Sequence, residues 1–165
     1  MATTDQLASI RQAIEHTLHE FLMSYEDAAA QHDAAIISRS LAPDCVRHLG
    51  PTSLLRKLGL PTDIVFTNEQ YQGLFAKESA AAAVKRSEIS NVCVDAVARR
   101  ASATTTYHGE FSDGEKHSLE FSWFLSFNET GTKVTKILEF VDSAEILNYQ
   151  AKIESLLAKM GGGGA

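Results

Sequence analysis

The sequence has little positive charge, few cysteines and no long apolar run, and each shortage excludes a class of protein. The 165 residues include 15 Lys and Arg against 21 Asp and Glu, a net charge of −6. Because the basic residues are scattered, we expect no nucleic-acid-binding surface. No apolar stretch approaches the roughly 20 residues of a membrane-spanning helix, so we expect no membrane insertion. Cys45 and Cys93 have apolar neighbours and no signal peptide is recognisable, which favours a cytoplasmic protein with reduced thiols.

Motifs for cofactor-dependent or covalent chemistry are also missing. The sequence has no H-x-H, H-x-x-x-H or C-x-x-C spacing typical of metal ligands. No serine lies in a glycine-flanked nucleophile motif, and no glycine-rich loop of the phosphate-binding kind occurs. We therefore expect neither a metal nor an organic cofactor, and any catalysis would depend on the chain's own acids and bases.

The hydrophobic content of 44% is enough for one ordinary core in a chain of this length. The sequence predicts a single domain over residues 1–160, followed by a Gly-rich tail at 161–165.

The first half of the chain has helical patterns. Thr3–Gln6 spells a capping box, and apolar residues at helical spacing follow as far as Tyr25. Asp33 can cap a second helix, which we predict to continue through Leu41 until Pro43 ends it. A second capping box at Thr67–Gln70 predicts a further helix.

A short strand is predicted between these helices, over 45–51. Its polar residues Arg47 and His48 fall on opposite sides, so one of them must face the interior. The following segment, 52–66, carries Arg56 and Lys57 beside leucines and contains two breakers, Gly59 and Pro61. Such a segment can cover a cavity or form an ordinary surface turn.

The second half has strand patterns. Segments 88–94, 97–111, 116–127 and 132–141 are predicted strands, and a final amphipathic helix follows. Asp113-Gly114 is typical of a two-residue hairpin turn. Helices followed by a meander of neighbouring strands indicate an α+β fold, with N-terminal helices packed on a curved, mainly antiparallel sheet and a C-terminal helix behind them.

The two hairpin turns determine which side chains share a face of this sheet. If Ser112 pairs with Glu115, then His108 lies opposite Leu119, and if Phe127 pairs with Thr132, then His117 lies opposite Asp142. On that register, one face combines an apolar wall with a polar rim. It would carry Thr104, Thr106, His108, His117, Leu119, Phe121, Trp123, Leu125, Val134, Leu138, Phe140 and Asp142. Tyr107 and Glu139 would lie on the other face, although a one-residue change in the second loop would exchange the faces of the last strand.

Asp142, at the end of the last strand, has two interpretations. Its side chain can cap the final helix, because an aspartate accepts hydrogen bonds from the free N–H groups of a first turn. Alternatively, it is a pocket carboxylate at the end of an apolar face, where a charge needs a partner or a use. A histidine and an aspartate in one pocket would suit general acid–base chemistry.

Three short motifs carry a resemblance to a known family: Asp44-Cys45-Val46-Arg47-His48, Pro51-Thr52-Ser53-Leu54 and Glu139-Phe140-Val141-Asp142-Ser143. With helices before a meander, they resemble the nuclear transport factor 2-like superfamily in its SnoaL-like branch. They are similar to small fungal isomerases and cyclases of meroterpenoid and polyketide pathways, of the terretonin, austinol and tetrahydroxanthone type. The resemblance implies a cone-shaped α+β barrel, often a homodimer through the outer sheet face, without a cofactor.

The resemblance also implies an activity, the acid–base isomerisation or cyclisation of a polyketide or meroterpenoid intermediate. Asp142 would be the general base and His48 a polar group of the pocket, with His48 or His108 as the proton donor and Arg56 or Lys57 as an anion-holding group. The predicted substrate-binding residues are Arg56, Tyr71, Phe121, Trp123, Leu138 and Phe140. Two alternatives stay open: a dehydratase of the scytalone dehydratase type, and a non-catalytic domain that binds a ligand or partner.

Overall fold

The computed structural model describes residues 3–161. It contains four α-helices, one 3₁₀ helix and six strands within that range. The helices are α1 (Thr4–Gln31), the 3₁₀ helix (Ala34–Ser38), α2 (Thr52–Lys57), α3 (Asn68–Glu78) and α4 (Ser143–Gly161). The strands are β1 (Leu41–Gly50), β2 (Val65–Phe66), β3 (Ala82–Asp95), β4 (Arg100–Phe111), β5 (Lys116–Phe127) and β6 (Val134–Val141). Met1, Ala2 and residues 162–165, which include most of the predicted Gly-rich tail, lie outside the described residues.

The predicted helix starts are confirmed at the caps. Thr3 and Thr67 each accept a hydrogen bond from the backbone N–H three residues on, and the side chains of Gln6 and Gln70 accept one from the backbone N–H of the cap residue. Asp33 caps the 3₁₀ helix through Ala35 N. This helix ends at Ser38, so the prediction that it continues through Leu41 is wrong: Leu41 already belongs to β1.

The six strands form one sheet in the order β2-β1-β6-β5-β4-β3. The β1–β6 pair is parallel and the other four pairs are antiparallel. Irregularities in register interrupt the ladders, two of them between β3 and β4. Because bulges bend and twist a strand, they curve the sheet. The helices cover its concave face, which confirms the predicted α+β cone.

Helix α1 supplies much of the buried core on that face. Phe21, which is fully buried, packs edge-to-face on Trp123 with ring centroids 5.1 Å apart. Tyr25 stacks on the same indole at 5.9 Å. A second, smaller cluster joins Ile153 and Leu156 of α4 to Phe111. No described helix is long and apolar enough to cross a membrane.

The predicted register of the β4–β5 hairpin is wrong by one residue. Phe111, rather than Ser112, is the residue bonded to Glu115, so that the loop has three residues and Gly114 adopts φ +90°. A loop with Gly in the left-handed region is the common three-residue alternative to a two-residue turn. The shift brings Tyr107 opposite Leu119 and moves His108 to the convex face.

The predicted register of β5 and β6 is also wrong. Phe127 pairs with Val134, and an irregularity between Ser126 and Phe127 then shifts the rest of the ladder. Trp123 therefore lies opposite Glu139, not Lys136. Because the shift is odd, the faces of β6 are exchanged. Glu139 is on the concave face, and Leu138 and Phe140 are on the convex face.

Candidate active site

A cavity of about 160 Å³ lies between the concave face of the sheet and the helices. The walls are mainly apolar and aromatic, and they enclose a few polar side chains, which is the usual composition of a small-molecule site. The lining residues are Tyr25, Leu49, Leu54, Leu58, Tyr71, Leu74, Phe75, Glu78, Val84, Tyr107, His117, Leu119, Phe121, Trp123, Glu139, Val141, Ile146, Tyr149 and Gln150.

A buried ion pair borders this cavity through one of its members, Glu139. Arg47 Nη1 donates to Glu139 Oε2 at 2.5 Å, and the two side chains are 4% and 6% exposed. The same nitrogen donates to Tyr25 Oη at 2.9 Å. Tyr71 Oη donates toward the Glu139 carboxylate, 3.2 Å from each oxygen. Each charge therefore has hydrogen-bonding partners, as a buried pair requires.

The parallel pairing of β1 with β6 brings this arginine and glutamate together. Leu49 lies opposite Glu139, which places Arg47 one inward-facing position away on the neighbouring strand. The guanidinium also stacks on Tyr71, with Cζ 3.5 Å from the ring centroid. Burial opposes the guanidinium charge, but Tyr25, Tyr71 and Glu139 outweigh burial and raise the pKa of Arg47. Arg47 thus keeps its charge in the interior.

Glu78 is the second carboxylate of the cavity. It is the last residue of α3 and is half-buried. Burial, and then the negative charge of Glu139, raise the pKa of Glu78 to about 7, although Lys77 opposes this shift. A helix C-terminus also carries partial negative charge, which disfavours a carboxylate. One cavity therefore holds a glutamate paired with arginine and another that exchanges protons near neutral pH.

The end of the cavity near α4 is formed by His117 and Tyr149. Their rings meet edge-to-face with centroids 4.9 Å apart. Burial lowers the pKa of His117, while burial and the charge of Glu78 raise the pKa of Tyr149. Both side chains are therefore uncharged at neutral pH.

Beyond this end lies an outer cleft of about 460 Å³. His117, Leu119 and Tyr149 line both spaces, so they form the boundary between the cavity and the cleft. The rest of the cleft is more polar. It includes Thr106, Phe111, Glu115, Lys116, Ser118, Glu120, Asp142, Glu145, Asn148 and Lys152.

Three of the predicted substrate-binding residues line the cavity: Tyr71, Phe121 and Trp123. Asp142 is exposed and lines the outer cleft instead. Its Oδ1 accepts hydrogen bonds from Ala144 N at 2.9 Å and Glu145 N at 3.2 Å. The side chain therefore caps α4, the first of its two interpretations. Its assignment as a general base stays a prediction.

The other predicted residues do not line the cavity. His48 and Leu138 are paired on the convex face of β1 and β6, and Phe140 points the same way. His108 is also convex, where its Nδ1 lies 2.8 Å from Ser118 Oγ. Arg56 is exposed on α2. His108, Leu138 and Phe140 were placed in one pocket with Asp142 by the predicted register of two hairpins, and that placement is wrong because both registers are shifted. The catalytic or binding roles of all five residues stay predictions.

The sequence did contain signals for some of the polar side chains that the structure places at the cavity instead of the predicted ones. Arg47 was one of two alternatives for the interior side of β1, and its burial decides between them. Glu139 is two residues from Ile137 and from Val141 and therefore shares their face of β6. This indicates an inward-facing position once the register is known. Glu78 follows the apolar residues of α3 but has no motif of its own. Among residues 3–161, no three His, Cys, Asp or Glu side chains are grouped as metal ligands.

No family model matches the chain. One curated relative, monooxygenase nsrS from Aspergillus novofumigatus, is 42% identical over 60 residues. That match spans 36% of this chain and 39% of the relative.

Solved structures match over far more of the chain. BvnE pinacolase from Penicillium brevicompactum superimposes with a TM-score of 0.71 at 20% identity, covering 94% of this chain and 97% of BvnE. PrhC from Penicillium brasilianum gives a TM-score of 0.70 at 14% identity, covering 89% of this chain and 91% of PrhC. The chain therefore shares the fold of these fungal proteins, and this is the α+β cone that the resemblance of its motifs implied.

Proposed function

We propose that this chain is a cofactor-independent acid–base isomerase or cyclase of fungal secondary metabolism, acting on a polyketide or meroterpenoid intermediate. The observation that carries the proposal is Glu78, a carboxyl with a pKa of about 7 in an apolar cavity that is also lined by Glu139, the partner of Arg47. The similarity in fold to BvnE pinacolase and the motif resemblance supply the class of reaction and substrate.

Glu78 would move the proton. A general base works best when its pKa is close to the working pH, since it is then both available and strong enough. Glu78 would take a proton from a C–H or O–H next to a ketone, leaving the electron pair on the substrate as an enolate or alkoxide. It would return the proton to another atom of the same substrate, so that the conversion leaves the mass unchanged.

The buried pair would hold and orient the substrate. Glu139 lines the cavity and can accept a hydrogen bond from a substrate hydroxyl, while Tyr71 and Arg47 fix the position of its carboxylate. Arg47 would be a positioning residue, because it acts through Glu139. Phe121 and Trp123, stacked at 5.2 Å between centroids, would pack on the carbocycle and exclude water.

Asp142 is the competing general base, assigned from the motif resemblance. It would act from the outer cleft, on a substrate that does not enter the cavity. Its exposure and its capping bonds to α4 make it the weaker assignment. The two carboxylates lie in separate spaces, so substitution of each one tests its own assignment.

The test is product analysis by mass spectrometry and NMR on candidate polyketide and meroterpenoid ketones. Wild type, Glu78→Gln and Asp142→Asn would be compared, with thermal melts to confirm folding. We expect a mass-neutral conversion that Glu78→Gln reduces at least about 100-fold, the usual contribution of general acid–base catalysis, and that Asp142→Asn retains. Loss of activity in Asp142→Asn alone would reassign the base, loss of water from the product would indicate a dehydratase, and binding without turnover would indicate a ligand-binding domain.

The partial match to a protein named as a monooxygenase favours one further candidate, oxygenation. The same base could deprotonate a phenolic ketone, and dioxygen would then oxidise a CH₂ group to C=O with release of water. The product would gain one oxygen atom and lose two hydrogens. The assay described above, repeated without oxygen, separates the two reactions, since isomerisation continues and oxygenation stops.

We also propose a homodimer through the convex sheet face. Phe124 and Phe140 pack edge-to-face there with centroids 6.1 Å apart and are 50% and 37% exposed. Leu138 and Cys93 extend this apolar surface. Exposed aromatic clusters of this kind are common at protein interfaces.

A further inference from the structure

His117 occupies the boundary between the cavity and the outer cleft. It lies near the start of β5, two residues before Leu119 and on the same face of the sheet. The ring contacts Phe111, with centroids 4.6 Å apart, and Tyr149. A ligand that passed from the cleft into the cavity would therefore pass this imidazole.

The ring also lies against Gly109 of the neighbouring strand. A Cβ at position 109 would come within 2.5 Å of His117 Nε2 and within 2.7 Å of Ala83 O. Such a contact is too close for any side chain, so the absence of a Cβ at Gly109 allows the imidazole to occupy this place. The position of the ring is thus defined by packing on several sides.

Both ring nitrogens of His117 are buried, and neither has a hydrogen-bond partner among the described residues. A buried polar atom without a partner opposes folding. A phenylalanine could fill the same space between Phe111 and Tyr149 without that cost. The imidazole therefore makes no contribution to packing that a phenyl ring could not make, which points to a bound group as the missing partner.

Two other polar side chains that line the cavity have hydrogen-bond partners. Glu139 is bonded to Arg47 and Tyr71, and Tyr107 Oη donates to Leu22 O at 2.9 Å. His117 is different because both its donor and its acceptor are unused. Burial lowers its pKa, and a neutral imidazole presents one of each.

The cavity and the cleft together limit the size of the ligand. An apolar cavity of roughly 150 Å³ holds one benzene ring, so the present cavity of about 160 Å³ accommodates one ring of a larger molecule. The remainder would extend past His117 into the cleft of about 460 Å³.

We propose that His117 contacts the substrate directly, as a neutral imidazole whose ring turns about the Cβ–Cγ bond within the same space and so presents a nitrogen to a hydroxyl or carbonyl oxygen where the molecule passes from the cleft into the cavity. The ligand class is an uncharged hydroxylated or ketonic ring system. This inference rests on the proposed function, which makes such a molecule the substrate, and it adds a specificity-determining residue to that site.

The experiment compares two probes of nearly equal shape, 2-naphthol and naphthalene, by fluorescence titration at neutral pH. The variants are His117→Phe, His117→Gln and, as a matched control, His19→Gln on the exposed side of α1. We expect His117→Phe to bind 2-naphthol about tenfold more weakly, which equals about 1.4 kcal/mol, and to bind naphthalene unchanged. The same variant should melt at a higher temperature than wild type. His117→Gln, which keeps a donor and an acceptor, should recover most of the 2-naphthol affinity.

Three outcomes would overturn the inference: equal 2-naphthol affinity in His117→Phe and wild type, equal losses for both probes, or no binding of either probe by wild type. Failure of the proposed function has a different signature. Glu78→Gln with undiminished turnover would refute the catalytic base and leave the His117 contact intact. Unchanged 2-naphthol binding in His117→Phe would refute the contact and leave the base intact.

Discussion

Removal of one member of the buried Arg47–Glu139 pair should destabilise the protein strongly. The two side chains are 4% and 6% exposed and lie 2.5 Å apart, so Arg47→Met leaves the Glu139 carboxylate charged and buried. Breaking such a pair costs about 3–5 kcal/mol. For a chain of this size each kcal/mol lowers the melting temperature by roughly 2–4 °C, which gives a loss of about 6–20 °C.

The double variant Arg47→Met/Glu139→Gln separates the cost of an unpaired buried charge from the loss of the pair itself. It removes both charges and keeps a polar oxygen for Tyr71, so it should be more stable than Arg47→Met alone. The exposed pair of Arg11 and Glu15, 3.0 Å apart with side chains 54% and 49% exposed, is the control. Arg11→Met should cost less than about 1 kcal/mol. Urea unfolding measures all three variants, and a cost for Arg47→Met no larger than for Arg11→Met would refute the argument.

Three further outcomes are expected. A carboxyl with a raised pKa keeps its proton to a higher pH in the folded state than in the unfolded state. The Glu78 contribution therefore lowers the stability as the pH rises from about 4.5 to about 7. Glu78→Gln should remove about 1–3 kcal/mol of that fall in urea unfolding across this range, and an unchanged pH profile would contradict the shift. Asp142→Ala should cost about 1 kcal/mol through loss of the α4 cap, whereas Asp142→Asn should cost much less; equal melting temperatures for all three proteins would exclude the cap. Phe124→Ser should convert a dimer to a monomer in size-exclusion chromatography with light scattering, and a wild-type monomer would refute the proposed dimer.

The order and type of most elements could be predicted from the sequence because their signals are local, but α2 and β2 lie in segment 52–66, where the sequence predicted no helix or strand. Capping boxes at Thr3 and Thr67 are complete within four residues, and both form as predicted. Alternation of side chains over β4 and β5 is equally local and correctly indicated strands. Helices before a meander then indicated the α+β class, and the resemblance of the motifs implied the cone.

The site could not be predicted to the same extent, because it depends on register. A three-residue loop in place of a two-residue turn moved Tyr107 inward and His108 outward. A register irregularity near Phe127 likewise moved Glu139 inward and Phe140 outward. In each case the pattern of alternation is correct and the choice of face is wrong, since an odd shift exchanges the two faces of a strand.

The sequence by itself determined the longer helices and strands, the fold class and the aromatic wall of Phe121 and Trp123, because periodicity and end-capping act between near neighbours. Only the tertiary structure decided which polar groups share the cavity. Glu78, His117 and Glu139 come from three elements, and their environments arise from burial and from one another's charges. Burial and charge proximity are properties of the packed chain, and no local pattern encodes them.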